Sequence, residues 1–291
     1  MTYDEMIQSL LALNKEQNVG LNVVPHCSNL LHQLYKKDAS KKAAYNEIYE
    51  RYIKTRQVAF SGDNIKRYLE ETLEEINRYM DYYWPPANNP FSHQTDFTSS
   101  IIPEMLCIIL SRIVEPLDCS LEVSAQKDLA IECVFDIIGG GSINLKNKRV
   151  DVAVVKQCTL VFNGVSKELP IPLLAIECKT NLDKNMLSGI EQSVNDLKKT
   201  FPNCCYLVVT ELSDFDIGKT NYASSGIDEI YVLRQQKRSA VRINPDARNL
   251  LNTSLVDEIV SRLKNNIELM NAVATDLSSR MENGKLIRRT V

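Results

Sequence analysis

The segments RVDVAVV (149–155) and LPIPLLAIECK (169–179) decide how the chain folds. Val150 to Val155 is short and rich in β-branched residues, which predicts a strand. Thr159 to Phe162, the Asn163-Gly164 pair and Val165 onward read as a hairpin, because Asn-Gly suits the tight turn that twisted strands require. Ile171 to Cys178 is apolar almost throughout and forms a second strand. Glu177 and Lys179 are two residues apart, so they share one face of that strand. Asp151 stands near one end of the first strand, where neighbouring pairing brings it beside them. Two carboxylates offer hard oxygen ligands to a magnesium ion and leave room for water and phosphate oxygens. An ammonium such as that of Lys179 can hold or polarise an attacking water and stabilise charge on phosphorus. Asp136 competes with Asp151 for the first carboxylate position.

Downstream, Met186, Leu187, Ile190, Val194, Leu197 and Phe201 lie at helical spacing. Tyr206 to Thr210 and Glu229 to Leu233 read as further strands, and Leu255 to about Ser278 as a helix. Upstream, residues 1–98 are mainly helical. Ile65, Tyr68, Leu69, Leu73, Ile76 and Met80 make one stripe, with Asp63 or Asn64 as its cap. Prolines and asparagines make Trp84 to Thr98 a loop. A helix starts near Ser100, with Pro103 in its first turn and Glu104 beside it. Its apolar run from Met105 to Val114 predicts burial. The expected fold is α/β (α+β), with a mixed central sheet flanked by helices. Residues 1–98 are expected to form a helical region for DNA binding or dimerisation, and residues 99–291 the catalytic domain.

Composition narrows the function classes. Of the 291 residues, 44% are hydrophobic and 24% charged, enough apolar surface for a substantial core. A net charge of -3 counts against a globally basic nucleic-acid footprint. Local patches survive that sum, at Lys146, Lys148 and Arg149 and at Arg234, Lys237, Arg238 and Arg242, with acidic Glu70, Glu71, Glu74 and Glu75 elsewhere. Eight cysteines include no CxxC pair, and Cys107, Cys133, Cys158, Cys178 and Cys205 fall in apolar segments. They read as reduced, buried thiols of a cytoplasmic protein. His26, His32 and His93 are too few for a histidine-rich metal site. Cys178 as a nucleophile has no histidine nearby in sequence and alternates away from the Glu177–Lys179 face. No long apolar run or basic leader predicts a membrane span or signal peptide.

The stretch from RVDVAVV through LPIPLLAIECKTNLDKNML, followed by FPNCCYLVVTE and IDEIYVLRQQKRS, resembles the PD-(D/E)xK nuclease superfamily. It is most similar to type II restriction endonucleases of the BbvCI type. The likeness covers Ile101 to Arg242. Val150 stands where the superfamily pattern has proline. The resemblance implies a restriction-endonuclease-like sheet, magnesium held by Asp151 and Glu177, and Lys179 assisting the water. It places Glu104 on an upstream helix that helps position metal or water; the alternative is a solvated carboxylate at a helix start. It implies a subunit that hydrolyses double-stranded DNA at a short specific sequence, one strand per active site, and so acts with a second identical or related chain. Lys184, Asn185, Arg234, Gln235, Gln236 and Arg238 carry donors suited to phosphates or base edges. A repair or recombination nuclease and a non-catalytic DNA-binding module with a nuclease-like core are the alternatives.

Overall fold

The computed structural model describes residues 1–291 except 62–64, 86, 87, 89, 92–95, 137–141, 215–224, 283 and 285–291. Five helices lead: α1 (Tyr3–Glu16), α2 (Pro25–Tyr35), α3 (Lys42–Ala59), α4 (Ile65–Tyr83) and the short α5 (Asp96–Ser99). The core helix α6 (Ile101–Val114) follows. Next come β1 (Leu121–Asp136), β2 (Ser142–Phe162), β3 (Val165–Leu182), α7 (Lys184–Thr200), β4 (Cys205–Ser213) and β5 (Glu229–Val232). The chain ends in α8 (Arg238–Ile243) and α9 (Thr253–Glu282).

The sheet order is β1-β2-β3-β4-β5. β1, β2 and β3 pair antiparallel, and β3, β4 and β5 pair parallel. The sheet is therefore mixed, as expected. Asn163 and Gly164 both have positive φ (48° and 76°) between β2 and β3, which is the backbone of the tight hairpin turn. The parallel β3–β4 step requires a crossover, and α7 supplies it. Asp183 caps α7 by accepting from the Met186 N–H at 2.9 Å.

Each face of the sheet buries its own apolar layer. Val152, Val154, Leu174, Ile176, Leu207 and Val209 pack towards α6 and the N-terminal helices. Ala153, Val155, Ala175 and Val208 pack with Leu187, Ile190, Val194 and Leu197 of α7. The first layer runs without a break from Tyr3 to Ile267, so residues 1–98 share one core with the sheet. The α6 helix is apolar over most of its surface and is buried accordingly. Asp96–Val114 is long and apolar enough to cross a membrane, yet 78% of that stretch is buried within the protein.

Several elements differ from the sequence expectations. β1 was not anticipated. The segments 150–155 and 159–162 are parts of one strand, β2, because β1 pairs along its N-terminal half and β3 along the rest. A helical turn, α5, occupies the end of the expected 84–98 loop. The caps assigned to Asp63 or Asn64 lie outside the described residues. All eight cysteines are free. Cys107 and Cys178 are buried, but Cys133 is exposed, because β1 carries it out on the β1–β2 ribbon beyond the helical layers.

Candidate active site

The site is built where β2 and β3 part. Their ladder ends at the Val152–Ile176 pair. Beyond it β2 stays with β1, and β3 stays with β4. Asp151 is one residue past the fork on β2, and Glu177 is one past it on β3. The Cys178 N–H donates to Asp151 Oδ2 at 2.7 Å, so a side chain bridges the opening that backbone pairing leaves. Gln126 on β1 donates its amide to Asp151 Oδ1 at 2.9 Å. Lys179 Nζ donates to Glu177 Oε1 at 2.8 Å, and the Tyr206 hydroxyl of β4 donates to Oε2 at 3.4 Å.

Burial lifts the Asp151 carboxyl above its usual range, and the nearby Glu177 charge adds to that rise. The Cys178 N–H, Lys179 and Gln126 pull in the other direction. For Lys179, burial opposes the charge, but the Glu177 carboxylate outweighs it and holds the ammonium above the ordinary lysine value. Burial and Glu177 push the Tyr206 phenol far up, so it remains a donor. Cys178 is a buried thiol whose ionisation burial suppresses, which argues against a nucleophilic role.

Asp151, Cys178 and Lys179 open onto a cleft of about 580 Å³. Its opposite wall comes from the segment between α1 and α2 and from the start of α2, through Asn22, Pro25 and Ser28. Each carboxylate oxygen of Asp151 and Glu177 accepts one hydrogen bond and keeps lone pairs free. Among the described residues, no three His, Cys, Asp or Glu side chains gather as a ligand set. Two carboxylates beside an open cleft fit magnesium, which keeps several of its waters; they do not fit zinc, which takes three or four protein ligands.

The sequence profile of the Bpu10I restriction endonuclease family matches residues 94–285. The chain belongs to the Bpu10I restriction endonuclease family. Its fold is similar to that of a solved structure described as the native BbvCI A2B2 tetramer at low resolution. That likeness has a TM-score of 0.67 at 22% identity, over 85% of this chain and 96% of the other. No curated protein matches by sequence. In this restriction endonuclease the fork and all the side chains converging on it lie within the family match, whereas Asn22, Pro25 and Ser28 precede it.

The structure brings Asp151, Glu177 and Lys179 together and leaves other expected residues elsewhere. Glu104 is 1% exposed, so it is not a solvated helix-start carboxylate. Its carboxylate turns to the N-terminal helices, accepting from the Cys27 N–H at 2.9 Å and the Tyr52 hydroxyl at 2.5 Å, beside Arg56 at 3.9 Å. Arg234 cannot reach DNA: it is 1% exposed and donates to Glu211 at 2.6 Å. Gln236 spends both ends of its amide on the Ala247 carbonyl and the Asn249 N–H. Gln235 is exposed, Arg238 is half-buried, and Lys184 and Asn185 are exposed in the first turn of α7. Asp136 ends β1, ten residues from Gln126, or roughly 30 Å at ~3.3 Å per residue. That separation removes it from the site.

Sequence reading missed Gln126 and Tyr206. Tyr206 lay in a predicted strand but its phenol had no motif to mark it. Gln126 could have been reached through the odd-numbered run Val123, Ala125, Leu129 and Ile131, a period-2 pattern interrupted only by Lys127.

Proposed function

We propose that this restriction endonuclease is of type II: a magnesium-dependent subunit that hydrolyses double-stranded DNA at a short specific sequence, one strand per active site. The observation that carries the reading is the meeting of Asp151 with the Glu177–Lys179 ion pair at the fork between β2 and β3, where Asp151 and Lys179 line one cleft. Asp151 and Glu177 would hold the ion. When bound, the ion neutralises charge developing on the phosphate and makes water more acidic. Lys179 orients the attacking water and stabilises the phosphoryl oxygens. The water oxygen bonds to phosphorus, the bond from phosphorus to the leaving sugar oxygen breaks, and that oxygen takes up a proton.

Lys184 and Asn185, exposed at the α7 N-terminus, offer DNA contacts where helix N–H groups favour phosphate. Gln235 and Arg238 remain base or phosphate candidates. One active site cuts one strand, so a double-strand break calls for a second subunit. The BbvCI structure contains two kinds of chain, A and B, which favours a related partner as well as an identical one.

The test is cleavage of a plasmid library with magnesium, followed by mapping of the ends on each strand. Fixed ends at one sequence are expected. Cutting at structures or free ends would replace this reading with a repair nuclease, and no cutting with a binding module. Lys179→Ala is expected to lose cleavage by about 100-fold or more while DNA binding persists. Normal cleavage by that variant would sink the assignment.

A further inference from the structure

Gln126 lies on β1 between the pairs Ala125–Val152 and Lys127–Val150, across from Asp151. Its φ is 52°, a left-handed backbone that a residue with a Cβ rarely adopts. The neighbouring main chain is tied from the far side. The Ala125 N–H donates to the Asn22 carbonyl at 2.5 Å, and the Asn22 side-chain amide donates to Ser124 Oγ at 3.4 Å. Asn22 belongs to the segment between α1 and α2, which forms the opposite wall of the cleft. Backbone in a sparsely populated region persists when its surroundings over-determine it, and such positions gather at functional sites.

We propose that Gln126 is a positioning residue for the Asp151 carboxylate, and that the α1–α2 segment sets its geometry. This rests on the metal-dependent reading given above. The Cys178 N–H fixes one oxygen of Asp151 but leaves the plane of the carboxylate free to turn. The Gln126 amide fixes the second oxygen and so fixes the plane. It uses one lone pair of Oδ1 and leaves another for an ion. The carboxylate is thereby oriented before any ion arrives, and binding costs less reorganisation.

Two variants separate the amide from the backbone. Gln126→Met keeps the length and the main-chain demand but has no amide. Gln126→Gly removes the amide and adopts positive φ without a Cβ penalty. Manganese binding to the full chain without DNA is measured by calorimetry, alongside metal-free melting and cleavage kinetics. Both variants should bind manganese about 10-fold more weakly, the effect expected of a partner that orients a metal ligand. Metal-free melting should stay near wild type, kcat should fall, and KM for DNA should hold. Wild-type manganese affinity in both variants would overturn the positioning role. A wild-type chain that binds no manganese would overturn the metal-dependent reading, and this inference with it.

Discussion

At Asp151 the chemistry and the fold pull in opposite directions. In the proposed role the Asp151 carboxyl holds a metal ion in its ionised form, yet burial and the Glu177 charge raise its pKa. Because its folded-state pKa exceeds the unfolded one, the metal-free protein loses stability from this group as pH rises through that interval. Asp151→Asn should therefore abolish magnesium-dependent turnover while raising the metal-free melting temperature, the usual stability cost of an active-site charge. A variant that melts lower and still cuts would contradict both halves. The Glu177–Lys179 pair was legible because strand alternation is a local rule. Glu104 and Arg234 were misread because a charged residue's task depends on burial. The partners that bury them, Arg56 and Glu211, stand 48 and 23 residues away.

Among the elements, α6 ties the N-terminal helices to the sheet. Its apolar surface makes it a core helix, and Glu104 is the polar anchor within it. Arg56 and Glu104 are both almost wholly covered, with Tyr52 hydrogen-bonded between them. Glu104→Ala leaves the Arg56 charge buried without its counter-ion, which should cost about 3–5 kcal/mol in denaturant unfolding. The folded fraction should keep wild-type kcat. A drop in kcat at unchanged stability would return Glu104 to the chemistry. The helices α4 and α7 were legible from their apolar spacing, and α6 from its start signals and continuous apolar run. β1 was not, because its periodicity is interrupted at Lys127.

Across the whole molecule, the joint between the layers includes a buried histidine. His26 on α2 meets the Tyr79 hydroxyl of α4 at 2.8 Å, and the Phe97 carbonyl and Ser100 hydroxyl at 3.0 Å. Burial lowers its pKa from the usual 6.5 to about 3, with Arg56 adding to the effect and the Phe97 hydrogen bond opposing it. The unfolded chain takes up that proton first, so stability falls as pH drops through this window, by about 1.4 kcal/mol per pH unit for one proton. Urea unfolding from about pH 7 to about pH 4 should show this slope, and His26→Asn should flatten it. An equal slope in the variant would assign the acid sensitivity to other groups. The mixed sheet was readable from the sequence. The common core was not, since no local pattern tells which face of one helix meets which face of another.

The fork between β2 and β3 makes the active site a gauge of sheet curvature. Asp151 rides on the antiparallel half, and Glu177 and Lys179 ride on the parallel half. Their spacing is therefore set by the angle at which the halves diverge. The paired alanines Ala153 and Ala175, both fully buried, lie one pair short of the point where the ladder ends. Ala175→Val adds bulk beneath the fork without touching an ionisable group. It should spread the jaws and lower kcat while leaving DNA affinity intact, so cutting is tuned from beneath the chemistry.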